Sequence, residues 1–201
     1  MRTAKEQSPA KDKLIHSAVK LMRAKGYEAT SVDDICCESK LTKGSFFHYF
    51  KDKESLAKAA LDTFCVSQGE EMGKNPAKAD RDPLKRFDGL IARMIEMSRM
   101  PGAINGCLIG NFAQELSDTH PGLREACAAK FDGFAGMLKT LLDEAKARYA
   151  PKKPLDTQGL ALHFISLMQG SFVVGKAKQD TGVFRKNMGH FKDYLHGLFG
   201  E

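Results

Sequence analysis

The nine residues Thr42 to Phe50, TKGSFFHYF, interleave hydrogen-bonding groups with aromatic rings. On a helix, Thr42, Lys43, Ser45 and His48 face outward and Phe46 and Phe50 face inward, with Phe47 and Tyr49 partly exposed. The hydroxyls of Thr42 and Ser45 suit phosphate oxygens or base edges, and the Lys43 ammonium suits a guanine acceptor or a phosphate. Phe47 suits thymine methyls or sugars, and His48 and Tyr49 are placed for phosphate. Gly44 lets the backbone approach its target closely. This is the chemistry of reading double-stranded DNA.

Such a surface needs elements to hold it. Ser31 starts a preceding helix, with Asp34 three residues on as its capping-box partner. Asp33 and Asp34 also suit the positive end of that helix, which is expected to run to about Ser39. Cys36 supplies a small buried side chain where the two helices meet. Lys40 and Leu41 supply the turn, which asks Lys40 for a left-handed backbone at some energetic cost. The stretch Ser31 to Lys53 therefore reads as a helix-turn-helix. Lys53 adds a cation beside the exposed amides of the next helix, an expected anion site. The expected DNA contacts are Ser31, Thr42, Lys43, Gly44, Ser45, Phe47, His48, Tyr49 and Lys53.

The charge distribution agrees. The chain carries a net charge of +6, and residues 1–53, with 11 Lys/Arg against 7 Asp/Glu, hold +4 of it. An excess at one end points to nucleic acid there. The five cysteines are irregularly spaced, and none of the six histidines completes a zinc pattern. Free thiols, no metal and no cofactor are expected. The segment MRTAKEQSPAKDK lacks the apolar core of a secretory signal, and no apolar run approaches the roughly 18 residues of a membrane span. A cytoplasmic location without membrane contact follows as the expectation.

The hydrophobic spacing predicts an all-α fold of about nine helices. Leu14, Ala18, Leu21 and Met22 share one helical face, closed by Gly26. Asp52 caps a fourth helix with the stripe Ala57, Ala60, Leu61 and Phe64. Gly69 to Asp82 reads as a linker. Helices follow over Pro83–Met100, Gly106–Leu116, Pro121–Tyr149, Asp156–Gln179 and Val183–Phe199. The expected domains are 1–53 for DNA binding and 69–201 for the remainder, with helix four connecting them to about residue 68.

The segment LTKGSFFHYFKDKESL, preceded by GYEATSVDDI, resembles the DNA-binding domain of the TetR family of bacterial repressors over roughly Lys11 to Leu61. Lys40 stands where that family often has glycine. The resemblance implies a dimer on palindromic operator DNA, released by a small-molecule effector bound in the C-terminal helices. Candidate pocket residues are Met94, Met97, Asn111, Phe131, Phe134, His163, Met168 and Phe172, with Gln114 and Glu115 as further polar groups; each is also readable as core.

The segment GAINGCLIGNFAQEL resembles a subgroup of TetR repressors answering to acrylate and to reactive electrophiles such as N-ethylmaleimide. That makes Cys107 a candidate effector site and reactive thiol, with Lys176 as a possible positive neighbour. A buried, inert thiol is the alternative. The last two helices carry Leu160, Phe164, Leu167, Gly170, Phe172 and Val174, then Phe184, Met188, Phe191, Leu195 and Phe199. This excess of apolar surface predicts a homodimer formed through them. Two other readings stay open. One is a DNA-binding protein with no effector. The other is a small thiol enzyme using Cys107, His163 and Glu115.

Overall fold

A computed structural model describes residues 8–200; the opening residues of the expected DNA-binding domain fall outside the described residues. Among the described residues there are nine α-helices and no strand. They are α1 (Pro9–Lys25), α2 (Val32–Ser39), α3 (Lys43–Tyr49), α4 (Lys53–Gly73), α5 (Pro83–Met97), α6 (Leu108–Leu116), α7 (Pro121–Tyr149), α8 (Thr157–Lys178) and α9 (Gly182–Phe199). The all-α class expected from the spacing is what the chain adopts.

The chain forms two compact units, and no single cut separates them. The first takes the residues up to Ser67 together with Cys107–Ala129, and the second takes Gln68–Gly106 and everything from Lys130. The expected 1–53 domain thus sits in a larger body that includes α6 and the start of α7.

In the first unit, Pro9 opens α1, where its missing N–H costs nothing. Leu14, Ala18 and Met22 are fully buried along one face of that helix. Ile35 and Cys36 of α2, Phe46 of α3 and the α4 stripe Ala57, Ala60, Leu61 and Phe64 are buried in the same unit. From α6, Leu108, Phe112 and Leu116 are buried as well.

The second unit has its own core. Phe87 of α5 meets Phe164 of α8 edge-on at 5.4 Å, and Phe164 meets Phe191 of α9 at 4.9 Å. Leu138 and Leu142 of α7 close the cluster. Here the expected linker is corrected. The polar stretch after Gly69 continues α4 to Gly73 and then forms a short 3₁₀ turn, Pro76–Ala79. Asn75 is buried; it accepts from the Ala77 N–H at 2.9 Å and donates to the Arg86 carbonyl at 3.4 Å. A Cβ at Gly89 would come within 2.3 Å of Asn75 Oδ1, so glycine there admits the turn against α5. Composition alone suggested a linker because the ordering depends on one buried side chain binding two backbone groups, one of them in the next helix.

α8 is long and apolar enough to cross a membrane by length and composition. Its apolar content has a use within the unit: Leu160, Phe164, Ile165 and Met168 are buried in the core. Most of the apolar residues expected to demand a second copy are likewise consumed inside the unit, including Phe184, Met188, Phe191, Leu195 and Phe199 of α9. Val174 of α8 is exposed as that expectation requires, and the rest of the surplus lies at Leu162 and Val173 of α8 and Tyr194 of α9, all large and exposed.

Candidate nucleic-acid interface

The helix-turn-helix is built from its caps outward. Ser31 Oγ accepts from the Asp34 N–H at 3.0 Å, and Asp34 Oδ2 accepts from the Ser31 N–H at 2.9 Å, a complete capping box. Lys25 donates to Asp34 Oδ2 at 2.9 Å. Lys25 and the Ser31 groups hold the Asp34 carboxyl well below the usual carboxylate range. Lys40 ends α2 at φ 57°, ψ 39°, the left-handed turn that the sequence demanded of it. Its N–H and that of Leu41 donate back to the Cys37 and Cys36 carbonyls at 3.2 and 2.9 Å, tying up the end of α2.

Thr42 Oγ1 then accepts from the Ser45 N–H at 3.1 Å and starts α3. The ends of α2 and α3 fix which face α3 presents. Phe46 is fully buried and Phe50 nearly so, whereas Phe47 is 59% exposed. Thr42, Lys43, Gly44 and His48 are exposed, and Ser45 and Tyr49 are half-buried. The Tyr49 hydroxyl lies 2.8 Å from Ser8 Oγ, and its ring packs against His48 at 4.6 Å. Ser31 and Thr42 accept as caps, and the Thr42 hydroxyl also lies 3.3 Å from Ser45 Oγ.

Two basic residues have partners that the sequence reading did not anticipate. Lys43 Nζ lies 2.8 Å from Asp33 Oδ1, and this pairing raises the lysine's affinity for its proton. Lys53 Nζ donates to the Tyr27 carbonyl at 3.1 Å and sits 4.0 Å over the Tyr27 ring. The expected anion site at the start of α4 is filled from within: Asp52 Oδ1 accepts the Ser55 N–H there at 2.7 Å.

α6 belongs to the same unit. Glu115 accepts from the Tyr27 and Glu28 N–H groups at 2.9 and 2.8 Å, and Asn111 Nδ2 donates to the Arg23 carbonyl at 3.3 Å. These groups were expected as pocket or catalytic residues, and the structure shows them hydrogen-bonded to the end of α1 and the turn after it. Gln114 donates to the Gly110 carbonyl of its own helix at 3.2 Å. Cys107 stands at the N-terminal cap of α6 and is 9% exposed. Burial pushes the nearby Cys127 thiol up to about 11, with Cys107 and Cys65 adding to the effect. Lys176 lies in the second unit, as does His163.

Of the expected pocket residues in the second unit, Met94 and Met168 are core, Phe131 and Phe134 pack against that core, Met97 is half-buried and His163 is exposed. Phe172 stacks on Phe184 at 4.8 Å. Together with Ser98, Ser171 and Lys176 they line a cleft of about 10 Å³, close to the volume of one water probe. No group of three or more His, Cys, Asp or Glu that could hold a metal occurs among the described residues.

Residues 14–60 match the bacterial regulatory proteins, tetR family, and residues 83–191 match the tetracyclin repressor-like C-terminal domain. The chain belongs to the TetR family. It is therefore a transcriptional regulator with a DNA-binding helix-turn-helix. The transcriptional regulator AcuR of Cereibacter sphaeroides is 28% identical over 87% of this chain and 80% of its own length. The repressor DhaR of Mycobacterium sp. (strain GP1) is 25% identical over 87% and 86%. A TetR regulator of Chloroflexus aurantiacus has the same fold, with a TM-score of 0.82 and 26% identity over 92% of this chain and 93% of its own. Within this TetR protein, Glu115 is the residue whose partners the sequence concealed. Gly26 was legible only as a helix terminator, and nothing in the spacing tied it to a residue nearly ninety positions away.

Proposed function

We propose that the chain is a repressor that binds palindromic operator DNA as a homodimer and leaves it when a small molecule acts on the protein. The observation that carries the DNA part is the exposed face of α3, where Phe47 stands 59% exposed on a helix whose caps and buried rings hold it in one orientation. An aromatic ring kept in water beside Lys43, Ser45 and His48 has a use if it packs against a groove. One short helix reads few base pairs, and two copies double the site. The exposed residues Leu162 and Val173 lie on one face of α8 and, with Tyr194 of α9, form the surface for the second copy. The cytoplasm is the compartment for such a protein.

The effector is an electrophile or oxidant, and Cys107 is the group it modifies. Two features support this: the resemblance of GAINGCLIGNFAQEL to the electrophile-responsive subgroup, and the place of Cys107 at the start of α6, whose later residues bind the end of α1. An adduct on a thiol that is 9% exposed must displace its neighbours. Lys176 belongs to the second unit.

A second reading is a DNA-binding protein without an effector. One experiment separates the two. Duplexes are selected from a random pool with the wild-type chain and the bound complex is titrated with N-ethylmaleimide. The exposed Cys37 is replaced by serine in every sample. Release that disappears in Cys107→Ser supports the thiol reading. Release with an unchanged dose response in that variant excludes Cys107, and no release by any thiol reagent favours the second reading.

A further inference from the structure

Two consecutive backbone amides, those of Tyr27 and Glu28, follow the end of α1 and point the same way. Such a pair of N–H groups is an anion receptor. Here the anion is internal: the Glu115 carboxylate takes both, Oε2 from Tyr27 at 2.9 Å and Oε1 from Glu28 at 2.8 Å. The fit depends on Gly26, whose φ is +91° and whose missing Cβ would lie 2.9 Å from Glu115 Oε2. Three more contacts converge on this turn. Phe112, on the same helix as Glu115, meets the Tyr27 ring edge-on at 5.9 Å. Asn111 donates to the Arg23 carbonyl at 3.3 Å. His120 packs against the Tyr27 ring at 5.1 Å. From the other side, Lys53 holds the Tyr27 carbonyl at 3.1 Å, and Thr30 Oγ1 donates to the Gly26 carbonyl at 2.6 Å.

The turn held in this way joins α1 to α2, and α2 carries the capping box and the left-handed Lys40 that orient α3. The chain returns to the first unit at Cys107, and α6 is the first element it forms after that return. We infer that Glu115 is a positioning residue for DNA reading: its carboxylate clamps the Gly26–Glu28 turn to α6 and so sets the pose of the recognition helix. The inference rests on the DNA-binding reading above, and it is independent of which effector acts.

Glu115 is exposed at its outer edge, so its replacement leaves the core intact. Glu115→Gln keeps the shape but offers one acceptor to two donors and sets an NH₂ group against the other amide. Three quantities are measured on the full chain. They are amide exchange at Tyr27 and Glu28 by NMR, affinity for a duplex selected with the wild-type protein, and affinity for random duplex of equal length. Exchange of both amides is expected to rise roughly tenfold and selected-duplex affinity to fall roughly tenfold, as loss of a charge-assisted hydrogen bond implies. Random-duplex affinity stays within about twofold or tightens slightly, because a negative charge is removed. A purely electrostatic role would tighten both affinities, and a purely structural one would weaken both together with the melting temperature; either pattern overturns the proposal. Unchanged amide exchange overturns the clamp without reference to DNA. If the wild-type chain selects no duplex while the amides respond, the regulatory reading fails and the clamp stands as a structural contact only, which overturns its positioning role.

Discussion

Asp33 and Lys43 face each other across the helix-turn-helix, Oδ1 to Nζ at 2.8 Å, with both side chains more than half exposed. An acidic residue thus sits on the surface proposed for a polyanion, and it holds the lysine proposed to read DNA. On binding, Lys43 has to trade Asp33 for a phosphate or a base. On that proposal the pair is expected to restrain non-specific binding, since any phosphate must displace a carboxylate already in place. Asp33→Asn is expected to tighten binding to random duplex several-fold and to narrow the gap between selected and random DNA. Lys43→Ala is expected to weaken the selected duplex by about 1–3 kcal/mol and to reduce the salt slope by about one. Equal losses on selected and random DNA for Lys43→Ala would assign it to phosphate contact alone. Fluorescence anisotropy across a salt series reads all of these quantities.

Phe46 and Phe47 are neighbours of the same type with opposite work. Their rings touch edge-on at 5.1 Å, but Phe46 is fully buried and Phe47 is not. Phe46→Ala empties a core site and is expected to destabilise the protein by about 3–5 kcal/mol. Phe47→Ala removes an exposed ring and is expected to change stability by less than about 0.5 kcal/mol. Its loss should appear in affinity for the selected duplex. Urea unfolding and duplex binding, measured on both variants, give a crossed pattern; a stability loss with Phe47→Ala would place that ring in the core instead.

The order of helices was legible because each is written in local terms. Ser31 and Asp34 are three apart, Pro9 and Pro121 open helices, and the α4 stripe repeats at helical spacing. The inward and outward faces of α3 were legible for the same reason. Glu115, Asp33 and Lys53 were not, because their partners are defined by packing between elements. Their roles are hydrogen bonds to backbone groups or ion pairs, which leave no periodic trace. The apolar surplus of α8 and α9 was legible as an amount and misplaced in position. Hydropathy counts residues, but only the packed core says which face is left over. Asn75 shows the same limit, since a polar stretch read as a linker is ordered by one buried amide.

The exposed face of α8 makes a separate prediction. Leu162 and Val173 are 45% and 46% exposed on the same side of that helix, and Tyr194 of α9 is 48% exposed. A charge placed there would not disturb the unit's own core, yet it would be buried unpaired in a dimer, which is strongly unfavourable. Val173→Asp is expected to keep the helical circular dichroism of the parent and to shift sedimentation from dimer to monomer. Affinity for a palindromic duplex should then fall by at least a hundredfold, while a single half-site is bound as before. A dimer that persists in Val173→Asp would move the interface to another surface.

Tyr27 links the clamp to pH. Burial, reinforced by Glu54, Glu28, Asp52 and Glu115, pushes its phenol up to about 12 from an ordinary 10.0. A raised pKa means that the fold favours the protonated ring. The stabilisation is complete below pH 10 and declines as the pH rises from 10 toward 12, where the unfolded chain ionises and the folded one does not. Tyr27→Phe keeps the ring between Phe112 and His120 and has nothing to titrate there. Below pH 10 the stability difference between the two proteins should be constant. Between pH 10 and 12 it should move in favour of the phenylalanine variant by on the order of 2 kcal/mol. Comparing the two proteins cancels the lysines and other tyrosines that titrate over the same range. Urea unfolding at closely spaced pH values reads the difference, and parallel curves from pH 9 to 12 would mean that Tyr27 ionises in the folded protein as readily as in the unfolded chain.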